Sequence, residues 1–195
     1  MINFTDEQNC YIAKVKENAL KNYVPILKDD SMQLVSMILN FKKPNQILEI
    51  GSAVGYSSMC FSKFLCGKKS KITTIEIDEE MYNVAKNNIH NMNLDEKINI
   101  IHADATKYLE KMNQEKYYDI IFIDAAKGQY LKFLDNALRL IKDGGIIIAD
   151  NVLFKGMVLS DYNEHKHRTA VNRLRQYLKI IQESTSLDSY IFNIR

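Results

Sequence analysis

The stretch Glu49-Ile50-Gly51-Ser52-Ala53-Val54-Gly55-Tyr56-Ser57 most narrows what this chain can fold into. It closes an apolar strand over 46–50, carrying Ile47, Leu48 and Ile50, and passes through a glycine turn into a helix. Gly51 and Gly55 allow a sharp turn and a close approach of backbone to ligand, because neither has a Cβ in the way. The spacing is G-x-x-x-G, not the G-x-G-x-x-G that seats a pyrophosphate on a helix N-terminus. Glu49 at the strand end would moreover repel a phosphate.

A strand–glycine–helix unit is also compatible with an ordinary tight turn in an α/β domain. The next strand adds weight to a ligand site. Lys71-Ile72-Thr73-Thr74-Ile75-Glu76 places a second acid at a strand end, 25 residues after Gly51. In a parallel sheet that position faces the same crevice and can accept both hydroxyls of a ribose. Two acids at adjacent strand ends suit a nucleoside that also carries a positive group. Methionine-linked adenosine, with its amino group and sulfonium, fits better than a dinucleotide.

From 46 onward, strands and helices alternate. Strands are expected at 46–50, 71–77, 98–102, 118–124 and 145–150, with helices near 56–66, 79–92, 105–112 and 129–141. A long connection then leads to a helix near 165–183 and a last strand near 188–194. Nearly continuous apolar strands in such alternation predict a Rossmann-like, doubly wound, mainly parallel α/β sheet covered on both faces. Before it, Thr5 and Gln8 form a capping-box pair for a first helix, Val24-Pro25 interrupts, and Asp29-Asp30 open a second. These N-terminal helices either roof the crevice or simply extend the packing, and periodicity alone favours the packing role.

At 195 residues the whole chain, 1–195, reads as one domain: a helical extension over 1–44, then the α/β core over 45–195. Cys10, Cys60 and Cys66 are odd in number and lack C-x-x-C spacing, which predicts reduced thiols in a cytoplasmic protein, without zinc. The start of the chain lacks the layout of a signal peptide, and no apolar run approaches a membrane span. A net charge of +2 does not by itself imply nucleic acid.

The strands end in acids: Glu49, Glu76, Asp104, Asp124 and Asp150-Asn151. One acid after a strand is ordinarily a helix cap. Five in succession point to one ligand-binding edge of the sheet. Asp124, Asp150 and Asn151 close strands expected to be neighbours, and their hard oxygens suit Mg²⁺ or Mn²⁺. The rival is a hydrogen-bond network without metal. Lys127, three residues after Asp124, can return over the crevice as a general base, or stay at the surface as most lysines do.

Together, Glu49-Ile50-Gly51-x-x-x-Gly55-Tyr56-Ser57, Glu76, Asp124-x-x-Lys127 and Asp150-Asn151 resemble the class I, metal-dependent O-methyltransferases of the catechol and caffeoyl-CoA type. The resemblance runs from about Val24 to about Ile194. It implies S-adenosylmethionine held by Val24, Glu49, Gly51, Ser57, Glu76, Asp104, Ala105 and Asp124. It further implies Mg²⁺ on Asp124, Asp150 and Asn151, with Lys127 as catalytic base and Asp124 beside it, and a homodimer. The pattern departs at Ser31, where the family often has glycine, and at the C-terminus. The family fold ends in two antiparallel edge strands, whereas only Leu187–Ile194 reads as one here. This predicts a sheet one strand short.

The segment 152–179 carries charge. Between 164 and 179 stand five Lys/Arg, one acid and two histidines. It reads either as a solvated helix face or as a phosphate-binding surface. His165-Lys166-His167-Arg168-Thr169 and Asn172-Arg173-Leu174-Arg175 resemble the bacterial tRNA 5-hydroxyuridine methyltransferases. That implies methylation of the wobble base to 5-methoxyuridine, with Lys155, Lys166, Arg168, Arg173 and Arg175 on the tRNA backbone. A small-molecule catechol or hydroxycinnamoyl-CoA O-methyltransferase is the alternative. A non-catalytic tRNA- or adenosyl-ligand-binding protein is a third reading.

Overall fold

The computed structural model describes residues 1–161 and 164–194. Five parallel strands form the sheet: β1 (Gln46–Ile50), β2 (Lys71–Glu76), β3 (Ile98–His102), β4 (Tyr118–Ile123) and β5 (Ile141–Ala149), in the spatial order β3-β2-β1-β4-β5. The helices are α1 (Asp6–Lys21), α2 (Asp29–Lys42), α3 (Tyr56–Ser62), α4 (Glu79–Asn91), α5 (Ala105–Glu110), α6 (Tyr130–Leu140) and α7 (Arg168–Glu183). Among the described residues, no helix is long and apolar enough to cross a membrane.

Alternation along the strands divides the core into two layers. Ile47, Ile72, Ile98, Ile120 and Phe122 face one side, where they meet α1, α2, α3 and the buried side of α4. Leu48, Ile50, Ile75, Ile121 and Ile123 face the other, against α5, α6 and α7. The doubly wound architecture is therefore as expected. The N-terminal helices contribute buried Ile12, Val15, Ala19, Val35 and Leu39 to the first layer, so packing is one of their roles.

The strand order reverses between β1 and β4, and the crevice of an open α/β sheet lies at such a switch. The backbone holds the strand ends in a row there. Gly51 N–H donates to Ile75 O (2.9 Å), Asp124 N–H to Ile50 O (3.0 Å), Asp150 N–H to Ile123 O (2.9 Å) and Ala103 N–H to Glu76 O (2.9 Å). Each bond extends the ladder one step past its strand. The residue after each strand is thereby fixed on one edge.

Several boundaries differ from expectation; α3, expected to run to about 66, ends at Ser62. β5 begins at Ile141 rather than 145, because the chain leaves α6 already extended and pairs Ile141 with Tyr118. The register then jumps to Ile120↔Ile146, and Gly144 (φ 69°) turns the bulged residues between. The helix expected near 165–183 starts at Arg168. The expected last strand over 188–194 is not formed: 187–194 has no regular structure, and no described strand pairs with the outer edge of β5. A strand needs a ladder partner to satisfy its backbone, and this segment has none. Its side chains lie mostly in solvent, Tyr190 at 80% exposure.

Gly51 carries the tightest contact at the switch. Its φ is +93°, and a Cβ added there would stand 2.2 Å from the Asp124 carbonyl oxygen. Gly51→Ala combines backbone strain with a clash against main chain that has no room to move. It is expected to cost about 3 kcal/mol of folding free energy. Urea unfolding of the two proteins checks this, and a loss under about 0.5 kcal/mol would mean that β1 and β4 can separate freely here.

Candidate active site

One cleft of about 2350 Å³ opens over the strand ends. A pocket for one small ligand rarely exceeds about 1,000 Å³, so more than one space is joined in it. One part is the crevice lined by Gly51, Ser57, Glu76, Asp104 and Asp124; another follows β5 and the segment 186–194. Of the residues expected to hold the cofactor, Val24, Gly51, Ser57, Glu76, Asp104, Ala105 and Asp124 all line the cleft.

Glu49 is the exception. It is 0% exposed and does not line the cleft. Its Oε1 accepts from the Ser57 hydroxyl (2.6 Å) and its Oε2 from Thr74 (2.6 Å). The strand places it beneath the floor, so it orients Ser57 instead of presenting a carboxylate to a ligand. Burial pushes its carboxyl up to about 7, with the nearby charge of Asp124 adding to the rise and the Ser57 and Thr74 hydroxyls opposing it.

Glu76 faces the cleft, but its carboxylate is well occupied. Oε2 accepts the N–H of Ser52 (3.1 Å) and Ala53 (2.8 Å), and Oε1 those of Ile77 and Asp78 (both 2.9 Å). A carboxylate has about four acceptor positions, so the hydroxyls of a ribose would have to share them. Asp104 serves both as a helix cap and as a wall of the cleft. It caps α5 by accepting the N–H of Thr106 (2.9 Å), and it lines the cleft. The Thr106 hydroxyl (2.7 Å) is the main cause that holds its carboxyl below the usual range.

The predicted catalytic and metal residues converge beyond β4 and β5. Lys127 sits in a single 3-10 turn, Lys127–Gln129, that leads into α6. It is not a surface lysine, since its side chain is 14% exposed. Its Nζ donates to Asp124 Oδ1 (3.0 Å), the Tyr130 hydroxyl (2.7 Å) and the Asp150 carbonyl (3.2 Å). Three acceptors match the three N–H of an ammonium. Asn151 has a left-handed backbone (φ 59°) and donates Nδ2–H to Asp150 Oδ2 (3.3 Å). Burial, and then the charge of Asp124, raise the Asp150 carboxyl above its usual value, while Lys127 opposes the rise.

The donor set has the chemistry of a divalent-cation site. Asp124 and Asp150 are two carboxylates, the first close enough to disfavour the charge of the second, and Asn151 adds an amide beside them. No cluster of three or more His, Cys, Asp or Glu accompanies them among the described residues. Hard oxygens without nitrogen or sulfur fit Mg²⁺ or Mn²⁺ and not zinc.

The basic residues behave differently from one another. Lys155 lines the cleft and is exposed, with φ +57°. Lys166, Arg168 and Arg173 are exposed and lie outside the cleft lining. Arg175 serves the fold: Nε donates to Val158 O (3.1 Å), and Nη2 to the carbonyls of Met157 (3.3 Å) and Ser160. The basic segment 152–179 includes residues 162 and 163, which lie outside the described residues.

Tyr130 does not stand out in the sequence. Its one signal there is its place as the i+3 partner of Lys127, one turn further along. Lys28, which stands at the N-cap position of α2 without a side-chain capping bond and lines the cleft, is equally silent, since an isolated lysine before two aspartates carries no pattern of its own.

An α/β sheet with an acid row at its switch point is a ligand-binding scaffold, and sequence comparison gives its family. The O-methyltransferase family model matches residues 3–189, and the chain belongs to that family. A catechol O-methyltransferase of Niastella koreensis is 32% identical over 165 residues, covering 84% of this chain and 72% of that protein. Tapetum-specific methyltransferase 1 of Arabidopsis thaliana is 38% identical over 143 residues, covering 72% and 60%. Among solved structures, a Staphylococcus aureus protein provisionally described as a caffeoyl-CoA O-methyltransferase superposes with TM-score 0.85 at 33% identity, covering 94% of this chain and 87% of that one. The chain spans 54% to 60% of the length of several plant relatives it matches.

The Glu49 carboxyl yields a pH prediction. Its folded value of about 7 lies above the ordinary 4.5, so the unfolded chain ionises first. Its contribution to stability is complete below pH 4.5, declines as pH rises and is lost above about 7. Glu49→Gln is expected to flatten the decline in unfolding free energy between pH 4.5 and 7 relative to the unsubstituted protein. Urea titrations at matched pH decide, and parallel curves for the two proteins would refute the assignment.

Proposed function

We propose that this protein is an S-adenosylmethionine- and Mg²⁺-dependent O-methyltransferase of small molecules with two adjacent oxygens, in the manner of catechols. The observation that carries the reading is the cluster of Asp124, Lys127, Asp150 and Asn151 at the edge of a cleft also lined by Glu76 and Asp104. Ser57, oriented by Glu49, and the backbone around Gly51 would hold the amino-acid end of the cofactor; Glu76, Asp104 and Ala105 its nucleoside end. Asp124, Asp150 and Asn151 would hold the cation, which when bound lowers the pKa of a hydroxyl and fixes its orientation.

The residues of this chain divide the remaining work. Lys127 is the group placed to take a proton from an acceptor hydroxyl that enters its hydrogen-bond shell; to do so the amine must first have released one of its own protons, since an ammonium has no lone pair to receive another. The half-buried Leu153 and Phe154 line the cleft beside the cluster and suit a flat apolar acceptor. Alignment of donor and acceptor, with water kept out, supplies most of the rate.

The 5-hydroxyuridine reading keeps one supporting observation, the exposed cations Lys166, Arg168 and Arg173. It is weakened by the use of Arg175 within the fold and by the catechol and caffeoyl-CoA character of the relatives' names. The small-molecule reading is therefore preferred.

Methyl transfer from labelled S-adenosylmethionine tests both. Label is expected on a catechol or caffeoyl-type acceptor, lost with EDTA and restored by Mg²⁺. Lys127→Ala is expected to lower the rate by about 10²-fold or more. Label appearing only on tRNA that bears 5-hydroxyuridine, and falling steeply with salt, would overturn the substrate assignment. Cofactor binding without transfer to either acceptor would favour a non-catalytic binding protein.

A further inference from the structure

The Tyr130 hydroxyl lies beneath the site, behind the cleft wall, and has no part in the chemistry described so far. It lies 2.7 Å from Lys127 Nζ, 2.8 Å from the Asp150 carbonyl and 3.2 Å from the Ile123 carbonyl. A phenol has one proton and two lone pairs. The proton goes to a carbonyl, Asp150 being nearer, and a lone pair receives the lysine N–H. The ring itself is immobilised: it is 0% exposed and packs edge-on against Tyr177 (5.7 Å between centroids) and Phe133 (6.3 Å).

We propose that Tyr130 is a positioning residue for Lys127, its rigid hydroxyl fixing the ammonium beside Asp124 and Asp150. The inference rests on the O-methyltransferase reading for its kinetic consequence alone. Lysine is a flexible four-carbon stem. Its side chain is largely enclosed here, at 14% exposure, and the hydrogen bonds at Nζ fix where within that space the amine ends. Of the three bonds that Nζ donates, the one to Tyr130 is the shortest, and it alone comes from a side chain locked in the core. Asp124, by contrast, belongs to the set that would hold a cation.

The obvious rival is that Tyr130 is a core aromatic whose hydroxyl merely satisfies two buried carbonyls. The structure separates the two roles. Without the hydroxyl, Ile123 O still accepts the Asp150 N–H at 2.9 Å and Asp150 O still accepts Lys127 Nζ at 3.2 Å. Neither carbonyl is stranded. Tyr130→Phe also keeps the ring, including the face 4.9 Å from Lys127 Nζ. The variant therefore removes the anchor and spares the core.

Four proteins test this: the unsubstituted chain, Tyr130→Phe, Lys127→Ala and the double variant. In Tyr130→Phe, kcat with a catechol acceptor is expected to fall about tenfold, with both KM values changed less than about twofold, the pattern of a lost transition-state interaction. The double variant is expected to be no slower than Lys127→Ala, because the tyrosine acts through the lysine. In the free protein, the Lys127 side-chain resonance of ¹³C-lysine-labelled samples, assigned by its loss in Lys127→Ala, is expected to shift and to gain mobility in Tyr130→Phe. Multiplicative losses in the double variant, or a Lys127 signal that does not move, would overturn the proposal. If the unsubstituted protein transfers no methyl group, the functional reading fails by itself, and the lysine resonance still decides whether Tyr130 positions Lys127.

Discussion

The crossing of two backbones at the switch point governs the rest of this molecule. Gly51 leaves β1 with φ +93°, directly against the carbonyl of Asp124, at a spacing that admits hydrogen and nothing larger. The same neighbourhood is closed by the Asp124 N–H on Ile50 O and the Gly51 N–H on Ile75 O. β1 and its two neighbours are thus pinned at their C-terminal ends. Glu76, Asp124 and Asp150 each occupy a strand end or the position just after one, so their placement follows from the ladder and not from loop conformations. Side chains on rigid elements can be held to the tolerance that catalysis needs.

Charge at this edge is balanced in two different ways. Glu49 is removed from water entirely, and the two hydroxyls facing it only partly offset the burial. It acts as a strut between Ser57 of α3 and Thr74 of β2. Asp124 and Asp150 remain half-exposed and share the amine of Lys127, which binds one through its carboxylate and the other through its main chain. The Asp150 carboxyl receives no direct bond from the lysine, and it is the one whose burial and neighbour raise it. A second positive charge would be welcome there, which is the physical sense in which the oxygen donors suit a cation.

Much of this is legible in the sequence, for reasons that differ by element. Strands buried on both faces announce themselves as short apolar runs, and the acid that closes each run puts Glu76, Asp124 and Asp150 on one edge, although Glu49, Asp119 and Lys142 show that charge also occurs within a strand. Depth at that edge is not legible. Glu49 and Glu76 read alike in the pattern, yet one lies under the floor and the other reaches the cleft: Glu49 pairs with Thr74, two residues short of Glu76, so the two acids share a face of the sheet and differ in depth. Whether a segment becomes a strand depends on a partner that lies elsewhere in the chain. Tyr190-Ile191-Phe192 has strong β character, but no described strand lies beside it, and it stays irregular.

The helix α7 is the most ambiguous stretch in the sequence, and its structure explains why. Its inner face, with Val171, Leu174, Tyr177 and Leu178, packs on the second core layer, where Tyr177 meets the ring of Tyr130. Arg175 stands at the boundary and turns its guanidinium back to the carbonyls of 157, 158 and 160. It fastens the loop that follows Asn151 to the helix. One arginine of a basic run can thus be structural while Arg173, two residues before it, and Arg168, two turns before it, face solvent. Counting cations along the helix merges these roles. Following each guanidinium to its acceptor separates them: α7 supports the cluster around Lys127 from behind through Tyr177 and Arg175, while among the described residues its outer cations make no contact with that cluster.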